Sequence, residues 1–323
     1  MTISPVTDAL VKGARVTVLA GGVGGARFAH GVVLAGVRPD VVVNVGDDTE
    51  LHGLCISPDL DTVLYTLAGL NDEERGWGLR GETYATLAQL AALGEDTWFT
   101  LGDKDLATHV TRTARLRAGA TLSQVTAQLA AALGVGARLL PVTDDRVATL
   151  VDTPAGRLPF QEYFVRRRHA DPVLGVVYEG IEDARPAPGV IDAVGGADVV
   201  VLAPSNPFLS VFPLLGVPGM REALETTTAR RLAVSPIVGG QAVKGPAAQI
   251  LKTLGHEVSA LGVARLYQGL VDVMVIDAAD AALAPAVRDL RLDVLVTDTI
   301  MGGPAGRERL ARELLAAAGH PLP

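Results

Sequence analysis

Residues 16–36 read VTVLAGGVGGARFAHGVVLAG, and how this stretch is read sets the fold. VTVLA (16–20) is a short β-branched run, AGGVGGAR (20–27) is a glycine-rich turn, and ARFAHGVVLAG (26–36) has helical spacing. A second apolar run, VVVNV (41–45), follows. Strand, glycine turn, helix and strand in that order predict a parallel βαβ unit. Further β-rich runs recur at VVVLA (199–203), RLAVS (231–235), VDVMVI (271–276) and LDVLVT (292–297). Near-continuous apolar strands mark a sheet buried on both faces. Helical patterns at PAAQILKTLG (246–255) and PAGRERLARELLAAAG (304–319) alternate with them. The expected fold class is α/β, a doubly wound, mostly parallel, Rossmann-like sheet.

The alternation stops between 62 and 136. TVLYTLAGL, ETYATLAQLAAL, KDLATHVTRTARL and TLSQVTAQLAAALG all have helical spacing. In the last, Leu122, Val125, Leu129 and Leu133 share a face, and Thr121 with Gln124 has capping-box spacing. Residues 65–137 are therefore expected to form a helical insertion subdomain. Residues 1–64 and 138–323 would form the α/β nucleotide-binding domain. ATLVDT, PAGR and LPFQEYFVRR (148–167) predict a hairpin, because PAG is turn chemistry between β-rich flanks.

Composition narrows the function. The 323 residues are 49% hydrophobic and 20% charged, enough apolar material for a large core. A net charge of −8 argues against nucleic acid or anionic membrane as partner. The one cysteine, Cys55, excludes a disulfide framework and fits a reducing cytoplasm; its apolar neighbours suggest core. MTISPVTDALVKGARV has no Lys/Arg-led apolar segment, so no targeting sequence is expected. The longest apolar stretch, 16–37, is broken by Arg27 and His30, and no membrane span is expected. A homodimer is the default for an enzyme of this size.

The glycine turn has two readings. Backbone N–H groups at a helix start can cradle a phosphate, or the glycines can serve close helix–sheet packing. As a dinucleotide fingerprint it fails, because Arg27 stands where Gly or Ala belongs; no Lys-Ser/Thr follows to make a P-loop. After VVVNV, four aspartates fall close together: Asp47, Asp48, Asp59 and Asp61. Carboxylates beside a phosphate loop suit a hard cation such as magnesium. The rivals are a ribose contact for Asp47 and Asp48, and helix capping for Asp59 or Asp61. His52 is an acid/base candidate. PSNPFLS (204–210) offers Ser205, Asn206 and Ser210 at the end of another strand. SPIVGGQAVKGPA (235–247) offers Gly245 and Lys244, one of four lysines, to a phosphate.

Taken in order, GGVGGARFAHG, VGDDTELHGLCISPDLDTVLYTLAG, WFTLGDKDLATH, LPVTDDRVATLV, FQEYFVRRR, APSNPFLSVFPLLGVPGMREAL and VSPIVGGQAVKGPA resemble the 2-phospho-L-lactate transferases of coenzyme F-420 biosynthesis. The resemblance spans nearly the whole chain. It implies a guanosine diphosphate ester of a three-carbon acid as donor and the deazaflavin Fo as acceptor. The ribityl hydroxyl of Fo attacks the phosphate that bears the acid, and GMP leaves; magnesium is required. It assigns Asp61 to the ribityl hydroxyl or the metal, with Asp47 and Asp48 as further ligands. Gly21, Gly22, Val23, Gly24, Gly25, Lys244 and Gly245 would hold the diphosphate. Ser205, Asn206 and Ser210 would face the guanosine. Asp61 and Asp48 would be the catalytic carboxylates, with His52 and Thr100 toward the deazaflavin. Two positions depart from the pattern. Val23 stands where many relatives have a hydroxyl, and Thr100 where some have a basic residue. The Arg- and Ala-rich composition points to the actinobacterial, enolpyruvyl-transferring branch. A sister group similar in its glycine loop binds nucleotide-sugars as regulators, and is the alternative, with an NAD dehydrogenase behind it.

Overall fold

The computed structural model describes residues 14–243 and 245–319; the N-terminal stretch before them, Lys244 and residues 320–323 fall outside. Seven strands build the central sheet: β1 Val16–Ala20, β2 Asp40–Val43, β3 Arg138–Pro141, β4 Val199–Leu202, β5 Arg230–Val234, β6 Val273–Asp277 and β7 Asp293–Thr297. They lie in the order β7–β6–β5–β4–β1–β2–β3, and every pairing is parallel. The apolar runs lie at its centre: Val18, Leu19, Val41 to Val43 and Val200 to Leu202 are fully buried. From β1 the chain order runs outward both ways. Right-handed crossovers therefore place helices on both faces, and a crevice opens where the order reverses, at the carboxyl ends of β1 and β4.

The apolar runs account for six strands. The seventh, β3, is RLLP, too short for its pattern to stand out beside a helix. Its proline is tolerated because β3 is the sheet edge.

The helix after β1, α1 (Gly22–Leu34), starts earlier than its spacing suggests: the glycines form its first turn. Gly22 has φ +63, open to glycine at little cost. A Cβ on Gly24 would lie 2.2 Å from the carbonyl oxygen of Pro204, just past β4. Close packing thus explains Gly24. The last described helix, Gly303–Gly319, crosses α1 equally closely, with Gly31 against the Arg307 backbone.

Four helices follow where the alternation breaks: α2 Pro58–Leu67, α3 Ala85–Ala92, α4 Asp103–Arg117 and α5 Leu122–Ala132. α2 runs through residue 65 and packs on α1. α3 and α4 cap each other. Asp103 accepts the N–H groups of Ala85 and Thr86, both at 3.0 Å. Glu82 accepts those of Lys104 and Asp105, at 2.9 and 2.8 Å. α5 has its capping box, and Val125 and Leu129 are buried. The expected hairpin pairs Ala148–Thr153 with Gly156–Pro159, and Gly175–Glu179 adds a third antiparallel strand. Among the described residues no helix is long and apolar enough to cross a membrane.

Gly24→Ala should lower the unfolding free energy by about 1–3 kcal/mol, the usual cost of overpacking, despite alanine's better helix propensity. Urea denaturation of the purified variant measures it.

Candidate active site

The crevice at the strand-order reversal is a cavity of about 650 Å³, within the usual range for small-ligand sites. Its floor is built by chain leaving the carboxyl ends of the strands: Gly21 to Gly24 after β1, Asp47, Asp59 and Asp61 after β2, Ser205, Asn206 and Ser210 after β4. The facing wall is aromatic, with Tyr65, Trp77, Phe99, Phe160 and Phe164. Phe160 and Phe164 stack at 5.3 Å.

The glycine turn and the acidic segment are joined directly. Asp59 Oδ1 accepts the N–H of Gly22 at 2.7 Å, and Asp59 Oδ2 accepts from Asn44 Nδ2 at 3.0 Å. Capping of its own helix, expected for Asp59 or Asp61, is not what either does: α2 starts from Ser57 and Pro58 with no side-chain cap. Asp59 instead satisfies an orphan donor of α1, 37 residues away in sequence. Val23 and Gly24 carry the other first-turn N–H groups and line the cavity.

Asp47 and Asp59 are buried and Asp48 is half-buried, and neighbouring carboxylates add to the rise at Asp47 and Asp48. Burial, foremost, lifts the Asp59 carboxyl to about 6, against hydrogen bonds from Asn44 and Gly22. Asp47 is pushed well above the usual carboxylate range by burial, then by the charges of Asp59 and Asp48. Asp48 is raised mainly by burial, although the Ser57 hydroxyl donates to it at 2.7 Å. Asp47 Oδ1 and Asp48 Oδ1 are buried with no hydrogen-bond partner. Unpartnered carboxylate oxygens in such a group fit a hard cation.

Asp61 is different, because it has a counter-ion. Arg112 on α4, 2% exposed, holds it with both terminal nitrogens; Nη1 donates to Asp61 Oδ2 at 3.0 Å, and Nη2 bonds Oδ1. Arg112 Nη1 also lies 3.2 Å from His109 Nδ1, which places the imidazole proton on Nε2. That nitrogen is 3.3 Å from Asp105 Oδ1, which accepts from Tyr65 Oη at 2.7 Å. Asp61, Asp105 and His109 have a spacing that could hold a metal ion. The guanidinium of Arg112 already supplies positive charge there.

Thr100, Gly245, Ser210 and Asn206 line the cavity. Ser205 lines it too, but its hydroxyl is spent on the Gly21 carbonyl at 2.7 Å. Asn206 caps the segment starting at Pro207 with its oxygen; its buried Nδ2 lacks a partner. Gly25, behind the lining, packs on Ala20. His52 sits at a hairpin turn 4.0 Å from Glu95, outside the lining. Asp48 is half-buried, accepts the Ser57 hydroxyl and is not in the lining. Cys55 is half-buried, its backbone N–H bonded to Thr113. Lys244 lies outside the described residues. Sequence reading missed Arg112 and the aromatic lining. One signal was present: Asp105, His109 and Arg112 recur at i+4 and i+3, a polar stripe on one helix face.

Fold and crevice define an α/β protein with a cavity where the strand order reverses, the usual ligand site of such sheets. Comparisons with known proteins make this specific. The family of the 2-phospho-L-lactate transferase CofD matches residues 16–296. A phosphoenolpyruvate transferase of Streptomyces griseus is 44% identical over 309 residues, covering 92% of this chain and 97% of its own. One from Mycolicibacterium smegmatis is 43% identical over 331 residues, covering 95% and 100%. A solved structure of a UPF0052 family member from Bacillus halodurans superposes with TM-score 0.62 at 16% identity, covering 94% and 99%; it supports the fold alone. The chain belongs to the 2-phospho-L-lactate transferase family. It is an enzyme of that class, a phosphoenolpyruvate or 2-phospho-L-lactate transferase, and the regulator and dehydrogenase readings give way.

Arg112→Met should cost roughly 3–5 kcal/mol of stability, because it strands the Asp61 carboxylate in the interior. Arg157→Met, at an exposed pair with Asp152, should leave the thermal midpoint unmoved. Thermal melts of both variants check the contrast.

Proposed function

We propose that this enzyme transfers the phosphoenolpyruvyl moiety of enolpyruvyl-diphospho-5'-guanosine to the ribityl hydroxyl of Fo, in the biosynthesis of coenzyme F-420. The 2-phospholactyl ester is the alternative donor. The observation that carries the reading is the make-up of one cavity: a helix N-terminus, a group of buried acids and an aromatic wall share it. The naming of close relatives as phosphoenolpyruvate transferases supports the enolpyruvyl choice.

In this reading each wall takes one part of the reaction. The first-turn N–H groups of Val23 and Gly24 receive the diphosphate. Asn206, through its unpartnered Nδ2, faces the guanosine side with Ser210. The aromatic wall, with Thr100, stacks the deazaflavin, and Asp105 and His109 of α4 border it. The hydroxyl oxygen of Fo bonds to the phosphorus bearing the acid. The bond from that phosphorus to the GMP oxygen breaks, leaving a phosphodiester. Asp61 orients the hydroxyl and receives its proton; two of its lone-pair sites face Arg112 and the others remain available. Magnesium fits the acids, and Asp47, Asp48 and Asp61 would hold it. When bound, it neutralises the phosphate charge that would otherwise meet these carboxylates.

Mass spectrometry of the products after mixing Fo with each guanylylated acid tests the reaction. Deazaflavin phosphodiester and GMP should form with magnesium and not after chelation; absence of both products with either donor would refute it. Asp61→Asn should slow single-turnover transfer by about 10²-fold, the usual loss for a positioned base. GDP binding without metal should survive. Because the variant strands Arg112, it should also melt earlier than wild type, so rates must be read on the folded fraction.

A further inference from the structure

We propose that Arg27 is the anchor for the carboxylate of the three-carbon acid on the donor, an inference that rests on the transfer reaction above. Arg27 lies on α1 one turn beyond Gly24, and it lines the cavity. Its charge is met within the described residues only by one ion pair at the limit of range. The nearest acid, Glu73, is 4.0 Å from it. Both oxygens of Glu73 are already bonded to Arg307, Oε1 at 2.8 Å and Oε2 more closely. Arg307 is 1% exposed and cannot turn to water instead. His30, the fourth member of the group, adds no negative charge. Its Nδ1 faces Arg307 Nη1 at 3.1 Å, as the acceptor a neutral ring provides, and burial followed by Arg307 lowers its pKa. Two guanidiniums thus share one carboxylate, and the surplus cation is the one that borders the cavity.

The other arginine of the lining is committed. Arg75 bonds the Tyr84 hydroxyl, lies 3.5 Å from Asp72 Oδ2, and stacks on Trp77 and Tyr84. Arg27 makes no hydrogen bond within the described residues, and its side chain is 22% exposed. A half-buried guanidinium with no hydrogen bond and one long, shared ion pair is a fork open to a carboxylate or a phosphate.

Position separates those two. The phosphates belong at the first turn of α1, beside the acids and their cation. Arg27 is one helical turn further along, about 5.4 Å. In the donor, the carboxylate oxygens are four bonds from the phosphorus: the ester oxygen, the acid's second carbon, the carboxyl carbon, then oxygen. That reach matches one turn. The three-carbon acid would lie along α1, its phosphate at Val23 and Gly24 and its carboxylate at Arg27.

The test is calorimetry with magnesium on wild type, Arg27→Gln and Arg27→Lys. The probes are GDP, its lactyl ester and its isopropyl ester, which carries a methyl group in place of the carboxylate. Wild type should prefer the lactyl to the isopropyl ester by about tenfold or more, the scale of a hydrogen-bonded charge pair. Arg27→Gln should reduce that preference to about twofold or less, with GDP and isopropyl-ester affinity unchanged; Arg27→Lys should retain part of it. An unchanged preference in Arg27→Gln overturns the proposal, as does parallel loss of all three ligands, which would make Arg27 a phosphate contact or a structural residue. Wild type that binds the guanylyl ligands without preferring the carboxylate overturns this inference alone. Wild type that binds none of them overturns the guanosine-donor reading itself.

Discussion

The carboxylate of Asp59 ties the cavity together. It receives the N–H of Gly22 at the start of α1 and the amide of Asn44 at the end of β2, and its own backbone belongs to α2. Asn44 in turn reaches the Leu209 carbonyl at 3.2 Å, beyond β4. One side chain thereby fixes α1 relative to two strand ends on either side of the order reversal. It also puts a fixed acid where the helix dipole attracts an anion. A phosphate entering there meets Asp59 as a neighbour, so a cation between them becomes an electrostatic requirement rather than an accessory. The unpartnered oxygens of Asp47 and Asp48 lie in the same buried group.

What could be read from sequence follows the range of the physics involved. VVV-rich runs declare buried parallel strands because burial on both faces is a local demand on composition, and six of seven strands were legible that way. Thr121 and Gln124 declare their capping box because both partners lie within one turn. Capping its own helix was the local alternative for Asp59, because nothing local reveals a bond spanning 37 residues. Arg112 was invisible for the same reason: its partner Asp61 is 51 residues away. His52 was drawn toward the site by nearness in sequence to the aspartates, but the hairpin Thr49–Leu51 with Leu54–Ile56 turns it away. The glycines were legible as special and ambiguous in purpose. Gly24 answers to packing against Pro204 while its neighbours' N–H groups remain with the cavity.

Two arginines are nearly inaccessible, Arg112 and Arg307, and each is costly unless paired. Each holds one acid: Arg112 takes Asp61, Arg307 takes Glu73. The effect on the cavity is opposite on the two sides. Pairing Asp61 removes one negative charge from an acidic group that still holds Asp47, Asp48 and Asp59. Pairing Glu73 with Arg307 leaves Arg27 only a shared counter-charge at 4.0 Å. The N-terminus of α1 therefore stands between a group of acids and a cation whose one ion pair is long and shared. A ligand with a metal-bound phosphate at one end and a carboxylate a few bonds away matches that polarity in one orientation. The reverse orientation sets carboxylate against carboxylate. Specificity for a phosphorylated acid over a simple phosphate ester would then come from where the fold places its weakly paired charges, and the buried arginines are what leave them so.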